Sequence, residues 1–344
     1  MSIHLVTGGS GFVGSNIVQM LYAKGEHVRV LDIIDSIDRP PEVEFVQGDI
    51  LNPSIVEKVI KGVDYVYHTV ALVPLTKAGT KFWNVNVKGT QLIIDAAQKE
   101  NVIFFIHIST TAIYGGSLNK CPITEETPPN PIEIYGRAKL EGENRVLNAM
   151  NNGFQCAIIR PRTIIGAKRL GIFQILFEWI IENKNIYLIG KGDNLFQFLH
   201  VQDLAEMCII CAEKNKAGTY NIGAEKFSTL RNDLTALIEY AESSTKIIGL
   251  PIMLTINCLK LLDIIQLSPF ALWHYLTYHN PCYFDITKTI TMLEWKPNFS
   301  NEEMLFSAYD WYKNYNEELL NMNMQSTHLS PVKQKILKLL KILS

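Results

Sequence analysis

The sequence has little of several features that mark membrane, secreted or nucleic-acid-binding proteins. Its most apolar region, residues 247–276, is broken by Lys260, Asp263 and Pro269, so it offers no uncharged run of the roughly 18 residues that a membrane-spanning helix needs. The start "MSIHLVTGG" leads directly into a predicted strand, and no signal peptide is expected. The net charge is only −2, which gives no electrostatic basis for binding nucleic acid. We therefore expect a cytoplasmic protein with no nucleic-acid partner.

Cysteine is also sparse, with six residues scattered at positions 121, 156, 208, 211, 258 and 282. Only Cys208 and Cys211 form a C-x-x-C pair, inside the apolar run "MCIICAE". A redox pair of this spacing belongs at an exposed helix N-terminus, and the alternative is two small residues on a buried helix. We expect reduced thiols throughout, and no metal site is predicted.

What the sequence does contain is a regular alternation of strands and helices. Hydrophobic residues make up 47% of the chain and charged residues 19%, which is enough apolar material for a large core. Over residues 1–165, short apolar runs such as "IHLVT" and "CAIIRP" alternate with helical patterns. This order requires parallel strands, and continuous apolar strands suit a sheet covered on both faces. The sequence predicts an α/β fold, a Rossmann-type doubly wound parallel sheet with a smaller C-terminal substrate-binding lobe.

The rest of the chain is predicted to form three parts. Residues 166–312 are expected to form the substrate-binding lobe, with segments near 193–222 returning to the sheet domain. Residues 313–330 are Asn-rich and polar, and a linker is predicted there. Residues 331–344 predict a basic amphipathic helix, for which we expect peripheral contact with a membrane surface. The alternatives are binding to a partner protein and packing on its own domain. Its apolar stripe consists of Val332, Ile336, Leu339, Leu340 and Leu343.

Four glycines stand in "TGGSGFVG", residues 7–14, between the first predicted strand and helix. Gly9, Gly11 and Gly14 match G-x-G-x-x-G, and Gly8 precedes them. Glycines let the backbone approach a pyrophosphate, and the N-terminus of the following helix supplies N–H groups. Asp32 ends the second predicted strand, where a carboxylate binds ribose hydroxyls and repels a 2′-phosphate. The stretch therefore predicts a dinucleotide site that prefers NAD to NADP.

The stretch "YGRAK" places Tyr135 and Lys139 four residues apart on one face of a predicted helix. A phenol with an ordinary pKa of about 10 is a poor base at neutral pH, and a nearby ammonium favours its ionised form. We expect Lys139 to lower the pKa of Tyr135 and to hold the nicotinamide ribose. Ser109 or Thr110, at the end of the strand "VIFFIHIST", is expected to hydrogen-bond the reacting oxygen.

Taken together, these motifs resemble the extended short-chain dehydrogenase/reductase superfamily, and within it the NAD-dependent epimerase/dehydratase family. The resemblance covers roughly residues 3–312. Besides the glycine turn, it is carried by "VYHTVA", "NVKGT", "ISTTAIYG", "EETPPNPIEIYGRAK", "IIRP", "HVQDLA", "YNIG" and "LEWKPNFS". So many motifs in order are specific for the fold.

The resemblance also implies roles for individual residues. Tyr135 would be the catalytic acid/base, Lys139 its partner, Thr110 the hydroxyl residue and Ser109 its neighbour. Asp49 would reach the adenine edge, unless it is simply a solvated loop residue. A homodimer formed through helices near 92–99 and 135–149 is also implied. The residues expected to line NAD are Gly8, Gly11, Phe12, Val13, Asp32, Asp49, Ile50, Ala71, Asn86, Tyr135 and Lys139.

The sequence departs from the family pattern in two places. Sugar-nucleotide dehydratases carry an Asp-Glu pair after the catalytic threonine, whereas this chain has Thr111 and Ala112. Elimination of water then has no evident acid or base. Sugar-nucleotide enzymes usually also carry a diphosphate-binding arginine four residues before the histidine of "HVQD", and this chain has Phe196 there. It also has no arginine after Arg231, where a second one would be expected.

These departures favour a substrate less anionic than a sugar diphosphate, because a buried diphosphate needs cationic partners. Lys191 is a candidate replacement or a solvated loop residue, and Arg162 and Arg169 could bind one anionic group or form ion pairs. The apolar region 247–276 and "HTVALVP" resemble the 3β-hydroxysteroid dehydrogenase branch, although the apolar region could equally be an ordinary lobe core.

We therefore predict an NAD-dependent oxidoreductase that interconverts a secondary alcohol and a ketone, with an apolar or weakly anionic small-molecule substrate. The leading alternative is a nucleotide-sugar 4-epimerase that holds NAD tightly and returns the hydride to the other face. A non-catalytic NAD-sensing protein is a third hypothesis, and the presence of the whole Tyr/Lys/Thr set argues against it.

Overall fold

The computed structural model describes residues 2–73, 79, 81–265 and 272–321, and it is built around one large parallel sheet. The described strands are β1 (Ile3–Thr7), β2 (His27–Asp32), β3 (Glu44–Gln47), β4 (Tyr65–His68), β5 (Phe104–Ile108), β6 (Cys156–Pro161), β7 (Thr163–Ile165), β8 (Ile186–Ile189), β9 (Phe198–His200), β10 (Gly218–Ile222) and β11 (Ile247–Leu250). Seven of them form the central sheet in the order β10-β6-β5-β4-β1-β2-β3. Every pairing in this sheet is parallel.

Helices cover both faces of the sheet. The described helices, including those away from the sheet, are α1 (Phe12–Ala23), α2 (Pro53–Val59), α3 (Lys81–Trp83), α4 (Thr90–Lys99), α5 (Ile134–Asn151), α6 (Ile172–Ile181), α7 (Val201–Glu213), α8 (Leu230–Tyr240), α9 (Ile252–Ile264), α10 (Leu272–Thr277), α11 (Thr287–Leu293) and α12 (Asn301–Asn321). A π-helical turn, Asn84–Gly89, joins α3 to α4, and a 3-10 helix spans Thr111–Lys120. The predicted Rossmann-type α/β fold is confirmed.

The central strands are buried from end to end. Every residue of β5 and β6 is buried, which explains why their sequences read as unbroken apolar runs instead of alternating ones. Separate hydrophobic clusters lie on the two faces of the sheet, one packed by α1 and α7 and the other by α2, α4 and α5. Because these strands are parallel, the carboxyl ends of β1, β4, β5 and β6 meet at one edge of the sheet.

The chain leaves the sheet after β6 and later returns to it. β10 pairs with β6 as the edge strand, and α7 packs beside α1. Cys208 and Cys211 lie on α7 and are buried and unbridged. Burial raises the pKa of both thiols, that of Cys211 to about 12. These two cysteines thus pack in the core, and the alternative of an exposed redox pair is ruled out.

A smaller lobe is built from the remaining elements. β8 pairs with β11 and β7 pairs with β9, both in parallel. α9 lies in the apolar region 247–276, yet none of its residues is buried. Met253, Leu254 and Ile264 are strongly exposed. α9 therefore does not form the buried core of the smaller lobe. A buried core was one of the two interpretations of the apolar region 247–276.

The predicted polar linker over 313–330 is replaced in its first part by helix. α12 begins after a reciprocal cap in which Glu303 N–H donates to Ser300 Oγ at 3.3 Å and Glu303 Oε2 accepts from Ser300 N at 2.8 Å. The helix then continues through Asn321, because residues 313–321 contain no glycine or proline to stop its propagation. The predicted amphipathic helix 331–344 lies outside the described residues. Within the described ranges, no helix combines the length and the apolarity that crossing a bilayer requires.

Candidate active site

Gly8, in the turn between β1 and α1, and Gly14, in the first turn of α1, are required for packing against the backbone. Gly8 has a φ of +74°, and a Cβ there would lie 2.9 Å from the backbone nitrogen of Val70. A Cβ on Gly14 would overlap the carbonyl oxygen of Gly8. Without side chains at these two positions, the start of α1 packs closely on the end of β1. A side chain at either position would prevent this close packing.

Gly11 differs, because packing does not explain it. Its φ of −78° suits any residue, and a Cβ there would approach only the carbonyl oxygen of Gly8, at 3.1 Å. Gly11 is the N-cap of α1, and no side chain caps that helix. Glycine here keeps the space in front of the helix N-terminus open. The turn thus fits a pyrophosphate bound to backbone N–H groups.

Asp32 lies beside this turn at the end of β2. Its Oδ2 accepts from the Ser10 N–H at 3.0 Å, and its Oδ1 accepts from the Ile33 N–H at 2.7 Å. Burial raises the pKa of its carboxyl, while these backbone N–H groups act in the opposite direction. The carboxylate is thus fixed next to the turn, where the sequence predicted contact with a ribose.

Other residues that were predicted to line NAD make contacts within the protein. The buried Asn86 side chain clamps the backbone of Leu72, accepting from its N–H at 3.1 Å and donating to its carbonyl at 3.3 Å. This holds the segment after β4, which includes Ala71. Ile50 is buried beneath Gly89. Asp49 is exposed, and its Oδ1 accepts from the Leu51 N–H at 2.9 Å.

His68, at the end of β4, serves the scaffold. Its Nδ1 lies 2.8 Å from Thr7 Oγ1, and its Nε2 lies 3.0 Å from Thr90 Oγ1. Burial lowers the pKa of His68 to about 3, so the ring is neutral. These contacts give His68 a structural role.

Tyr135 and Thr110 meet at the carboxyl end of β5. Tyr135 begins α5 and is buried, with its ring 5.9 Å from that of Phe82. Burial raises the pKa of Tyr135 to about 12, and a hydrogen bond with the Thr110 side chain and the charge of Arg169 act against that rise. Arg169 is thus a cation that favours the ionised phenol, and the effect expected of Lys139 stays a prediction.

Lys139 lies one turn further along α5 and is directed at the strand below. Its Nζ donates to the carbonyl oxygen of Ile108 at 2.6 Å. Burial lowers its pKa to about 8, and Glu143 acts in the opposite direction. Lys139 thus ties α5 to the end of β5, which keeps Tyr135 next to Thr110.

Ser109 is oriented away from Tyr135. Its hydroxyl donates to Oε2 of the buried Glu143 at 2.6 Å, and Glu143 forms an ion pair with the buried Arg160. Side chains alternate between the two faces of a strand, so Ser109 and Thr110 face opposite sides. Of the two candidate hydroxyls, the structure brings Thr110 to the phenol and places Ser109 in a structural network.

The structure adds three residues to the site that the motifs did not identify. Arg169 lies with its guanidinium carbon 5.2 Å from the Phe12 ring, between the glycine turn and Tyr135. Glu133 precedes Tyr135 by two residues, and burial raises its pKa to about 7. Tyr278 interacts electrostatically with Arg169. The first two stand close to motif residues in the sequence, but Tyr278 carries no signal that could have indicated its place.

Phe196 does not occupy an open cleft. It is 1% exposed, and its ring lies 5.0 Å from Tyr278, 5.1 Å from Phe198 and 5.2 Å from the guanidinium carbon of Arg162. Neither Arg162 nor Arg169 forms an ion pair within the described ranges. The arginines that do are Arg29, Arg39, Arg145 and Arg160.

A parallel sheet with a glycine turn, an acidic residue at the end of the second strand and a buried Tyr/Lys pair is typical of a dinucleotide-dependent enzyme. Residues 4–223 match the NAD dependent epimerase/dehydratase family, and the chain belongs to that family. It is an NAD-dependent enzyme of the extended short-chain dehydrogenase/reductase type.

Three relatives illustrate the range of the family. An uncharacterized protein of Sinorhizobium fredii is 41% identical over 98% of this chain and 85% of its own. A UDP-glucose 4-epimerase of Lactobacillus helveticus is 29% identical over 90% of this chain and 97% of its own. A decarboxylating sterol-4-alpha-carboxylate 3-dehydrogenase of Mus musculus is 32% identical over 60% of this chain and 58% of its own.

The fold is also shared with solved structures. A UDP-glucose 4-epimerase of Thermotoga maritima, solved with UDP-glucose, superimposes with a TM-score of 0.76 at 22% identity and covers 91% of this chain and 99% of its own. At that identity the likeness concerns the architecture alone.

Replacing Gly11 with alanine should weaken NAD binding about 10- to 100-fold, which corresponds to roughly 1.4–2.8 kcal/mol. The added methyl group would occupy the approach to the helix N-terminus while touching the protein only at the Gly8 carbonyl. Titration of NAD by calorimetry measures the effect. Gly14→Ala should instead lower folding stability by about 1–3 kcal/mol, since its Cβ overlaps backbone. Equal NAD affinity in Gly11→Ala and the wild type would contradict this assignment.

Replacing Asp32 with asparagine should change the preference between the two dinucleotides. The amide oxygen still accepts from the Ser10 N–H, but the negative charge that repels a 2′-phosphate is gone. We expect the ratio of NADP to NAD affinity to rise at least about tenfold, or roughly 1.4 kcal/mol. Asp95→Asn removes the same charge from an exposed residue of α4 that is bonded to Gln91 and should leave the ratio unchanged. A ratio unaltered in both variants would exclude Asp32 from the ribose site.

Proposed function

We propose that this chain is an NAD-dependent oxidoreductase that interconverts a secondary alcohol and a ketone on an apolar or weakly anionic substrate. The observation that carries the proposal is that the buried phenol of Tyr135, at the start of α5, interacts with the Thr110 side chain just after the carboxyl end of β5. Two neighbouring hydroxyl groups can hold one substrate oxygen and exchange a proton with it. This edge of a doubly wound sheet is where ligands bind.

Tyr135 is the proposed acid and base. With burial raising its pKa to about 12, the phenol carries its proton at neutral pH, ready to be donated to a ketone oxygen. In the oxidising direction it must accept the alcohol proton, and the positive charge of Arg169 favours that ionised form. Thr110 keeps the substrate oxygen within reach of the phenol.

Lys139 acts mainly through position. Its bond to the Ile108 carbonyl holds the start of α5 against the end of β5, and the same face of the helix would carry the ribose contact that the resemblance implies. The turn at Gly11, the carboxylate of Asp32 and the clamp formed by Asn86 would hold the rest of the cofactor. When bound, NAD supplies the hydride acceptor or donor.

The choice of substrate depends on how the cations near the site are arranged. Phe196 stands where a diphosphate-binding arginine would be expected, and it is buried against aromatic rings and the single guanidinium of Arg162. Dehydration is not proposed, because Thr111 donates its hydroxyl to the Pro161 carbonyl at 2.5 Å and Ala112 has no titratable group. The relationship to a sterol-4-alpha-carboxylate 3-dehydrogenase supports oxidation of a ring alcohol on an apolar body.

A nucleotide-sugar 4-epimerase is the second candidate. It is favoured by the nearly full-length similarity to a UDP-glucose 4-epimerase. The same Tyr135 and Thr110 would serve it, because epimerisation also begins by removing a hydroxyl proton. Without an arginine at position 196 or after Arg231, the sugar diphosphate would have to be bound by other groups.

A thermal-shift screen decides between the two. NAD-saturated protein is heated with sterols, hydroxy acids and sugar nucleotides, and ligands that bind the folded state raise Tm. Hits are then incubated with NAD while absorbance of NADH is followed. Net NADH formation on an alcohol supports the oxidoreductase, whereas conversion of a sugar nucleotide without net NADH, by protein purified with NAD, would replace it by the epimerase.

Two further parts of the prediction belong to this proposal. A homodimer through the helices near 92–99 and 135–149, which are α4 and α5, stays a prediction that analytical ultracentrifugation tests. Peripheral contact with a membrane through residues 331–344 also stays a prediction, and flotation with liposomes tests it against a chain that ends at Gln325.

A further inference from the structure

Arg162 is a buried cation that the proposed chemistry does not use. It follows β6 at the carboxyl edge of the sheet and is 2% exposed. Its backbone N–H donates to the Ile222 carbonyl at 2.9 Å, and its Nε donates to the Gln197 carbonyl at 3.1 Å. Both terminal nitrogens, Nη1 and Nη2, are buried and have no hydrogen-bond partner among the described residues. The side chain is thus fixed at Nε, while the outer fork of the guanidinium has no acceptor within that part of the chain.

The surroundings of that fork are aromatic instead of acidic. The guanidinium carbon lies 5.2 Å from the ring centre of Phe196 and 5.6 Å from that of Phe284. Aromatic faces attract a cation, but they accept no hydrogen bonds of the strength a guanidinium makes with oxygen. The nearby Cys282 thiol interacts with Arg162, and a neutral thiol is a weak acceptor.

Arg160, two residues earlier, shows how this chain compensates a buried arginine elsewhere. Its guanidinium forms an ion pair with the buried Glu143 and also donates to the Tyr114 hydroxyl. Arg162 has no such carboxylate among the described residues. Burying an uncompensated charge costs free energy. A bound anion would offset this cost at Arg162.

Arg162 is connected to the catalytic tyrosine through a short series of side chains. The Phe196 ring lies 5.0 Å from the Tyr278 ring. Tyr278 interacts electrostatically with both Arg162 and Arg169, and Arg169 interacts with Tyr135. The two arginines contact different aromatic rings. Arg169 lies over Phe12 of the glycine turn, on the cofactor side, whereas Arg162 lies on the side of the small lobe.

We propose that Arg162 binds a single oxyanion of the substrate, a carboxylate or a phosphate group, through Nη1 and Nη2 in a pocket walled by Phe196 and Phe284. This inference rests on the proposed function, because it gives the alcohol a second anchor away from the oxygen that reacts at Tyr135. One guanidinium presents one planar fork, which matches one oxyanion. The substrate class is then a hydroxy acid or hydroxy phosphate ester whose remaining surface is largely apolar.

Anion binding to the NAD-saturated full chain tests the proposal. The probes are benzoate, its uncharged isostere benzamide, and inorganic phosphate, each titrated by calorimetry and by thermal shift. We expect an anion to raise Tm and benzamide to have no effect. Stronger binding of benzoate would assign a carboxylate as the substrate group, and stronger binding of phosphate would assign a phosphate ester.

Arg162→Met is the informative variant, because methionine packs well on aromatic rings. The Kd of the anion should rise about 10- to 100-fold, as expected for loss of a charge-assisted hydrogen-bonding pair. Arg145→Met removes the same charge from an exposed ion pair on α5 and should bind the anion as the wild type does. The shift of Tm by NAD reports whether each variant is folded.

If Arg162→Met does not fold, Arg162→Lys decides, because it keeps the charge and loses the fork. A smaller rise of Kd, about 3- to 10-fold, is then expected. An unchanged Kd in the folded Arg162 variant, equal binding of benzamide, or no binding of either anion by the wild type would overturn the proposal. Each of these results leaves the role of Tyr135 untouched, since that role is judged by NADH formation.

Discussion

Replacing Tyr135 with phenylalanine should lower turnover of the alcohol by about 10²- to 10⁴-fold, the range that one positioned acid or base contributes. The change removes only the hydroxyl that pairs with Thr110. The ring that packs edge-on against Phe82 stays in place, so the variant should fold and bind NAD as the wild type does. The rate is measured as NADH formation on the alcohol found in the ligand screen, and NAD binding by calorimetry.

Tyr220→Phe provides the matched control for this prediction. Tyr220 is also buried, in β10, and its hydroxyl donates to the Lys216 carbonyl at 3.2 Å, far along the sheet from the glycine turn. Loss of this hydroxyl should leave turnover within about twofold of the wild type, because the change preserves packing and lies away from the candidate site. If Tyr135→Phe retained more than a tenth of the wild-type rate, Tyr135 would not be the acid or base.

Replacing Lys139 with methionine should reduce activity while leaving the fold as stable as before, or more stable. The pKa of Lys139 falls from 10.5 to about 8 on folding because of burial. A lysine whose pKa is lowered in this way opposes folding at every pH below about 8, by about 3 kcal/mol at neutral pH. Methionine removes that penalty, although it also leaves the Ile108 carbonyl without its donor, which costs about 1–3 kcal/mol.

The pH dependence distinguishes this explanation from a general effect of the substitution. As the pH rises from about 8 towards 10.5, the wild-type lysine is increasingly neutral in the folded state, so its penalty disappears. The stability of Lys139→Met relative to the wild type should therefore fall over that interval. Lys99→Met, which removes a lysine from an exposed pair with Glu57, should show no such trend. Chemical denaturation at several pH values measures it.

Activity of Lys139→Met should fall about 10- to 100-fold, which corresponds to loss of one charge-assisted contact. The reason is that α5 loses its tie to the end of β5, so Tyr135 and Thr110 are held less closely. A variant with full activity would show that the bond to Ile108 is dispensable for positioning. A variant that is less stable at pH 7 and equally so at pH 10 would show that burial of the charge is not the controlling effect.

Much of the fold was predictable, because it follows from local patterns. The predicted strands "IHLVT" and "CAIIRP" coincide with β1 and β6, since a run of apolar residues between a turn and a helix has few alternatives. The end of the chain was less predictable. Asn-rich residues after 312 read as a linker, yet the cap at Ser300 and the buried side of α12 carry the helix to Asn321. Extending a helix that has already formed costs less free energy per residue than initiating one.

The arrangement of the candidate site was predictable in part. The motifs pointed to Tyr135, Lys139, Thr110 and the glycine turn, because each depends on spacing within one short stretch, and their roles stay predictions. The motifs did not separate Thr110 from Ser109, which the structure directs to different partners. They also gave no indication that Arg169, distant in sequence, lies near the phenol.

The amino-acid sequence by itself determined the class of fold, the dinucleotide turn and the family of the enzyme, because periodicity and short-range spacing encode them directly. Only the tertiary structure decided which charges are compensated. Arg160 meets Glu143, but Arg162 meets Phe196 and Phe284, although the two arginines stand two residues apart. The physical reason is that partners in a folded core come from distant parts of the chain, and the free energy of a buried charge depends on those partners and not on its neighbours in sequence.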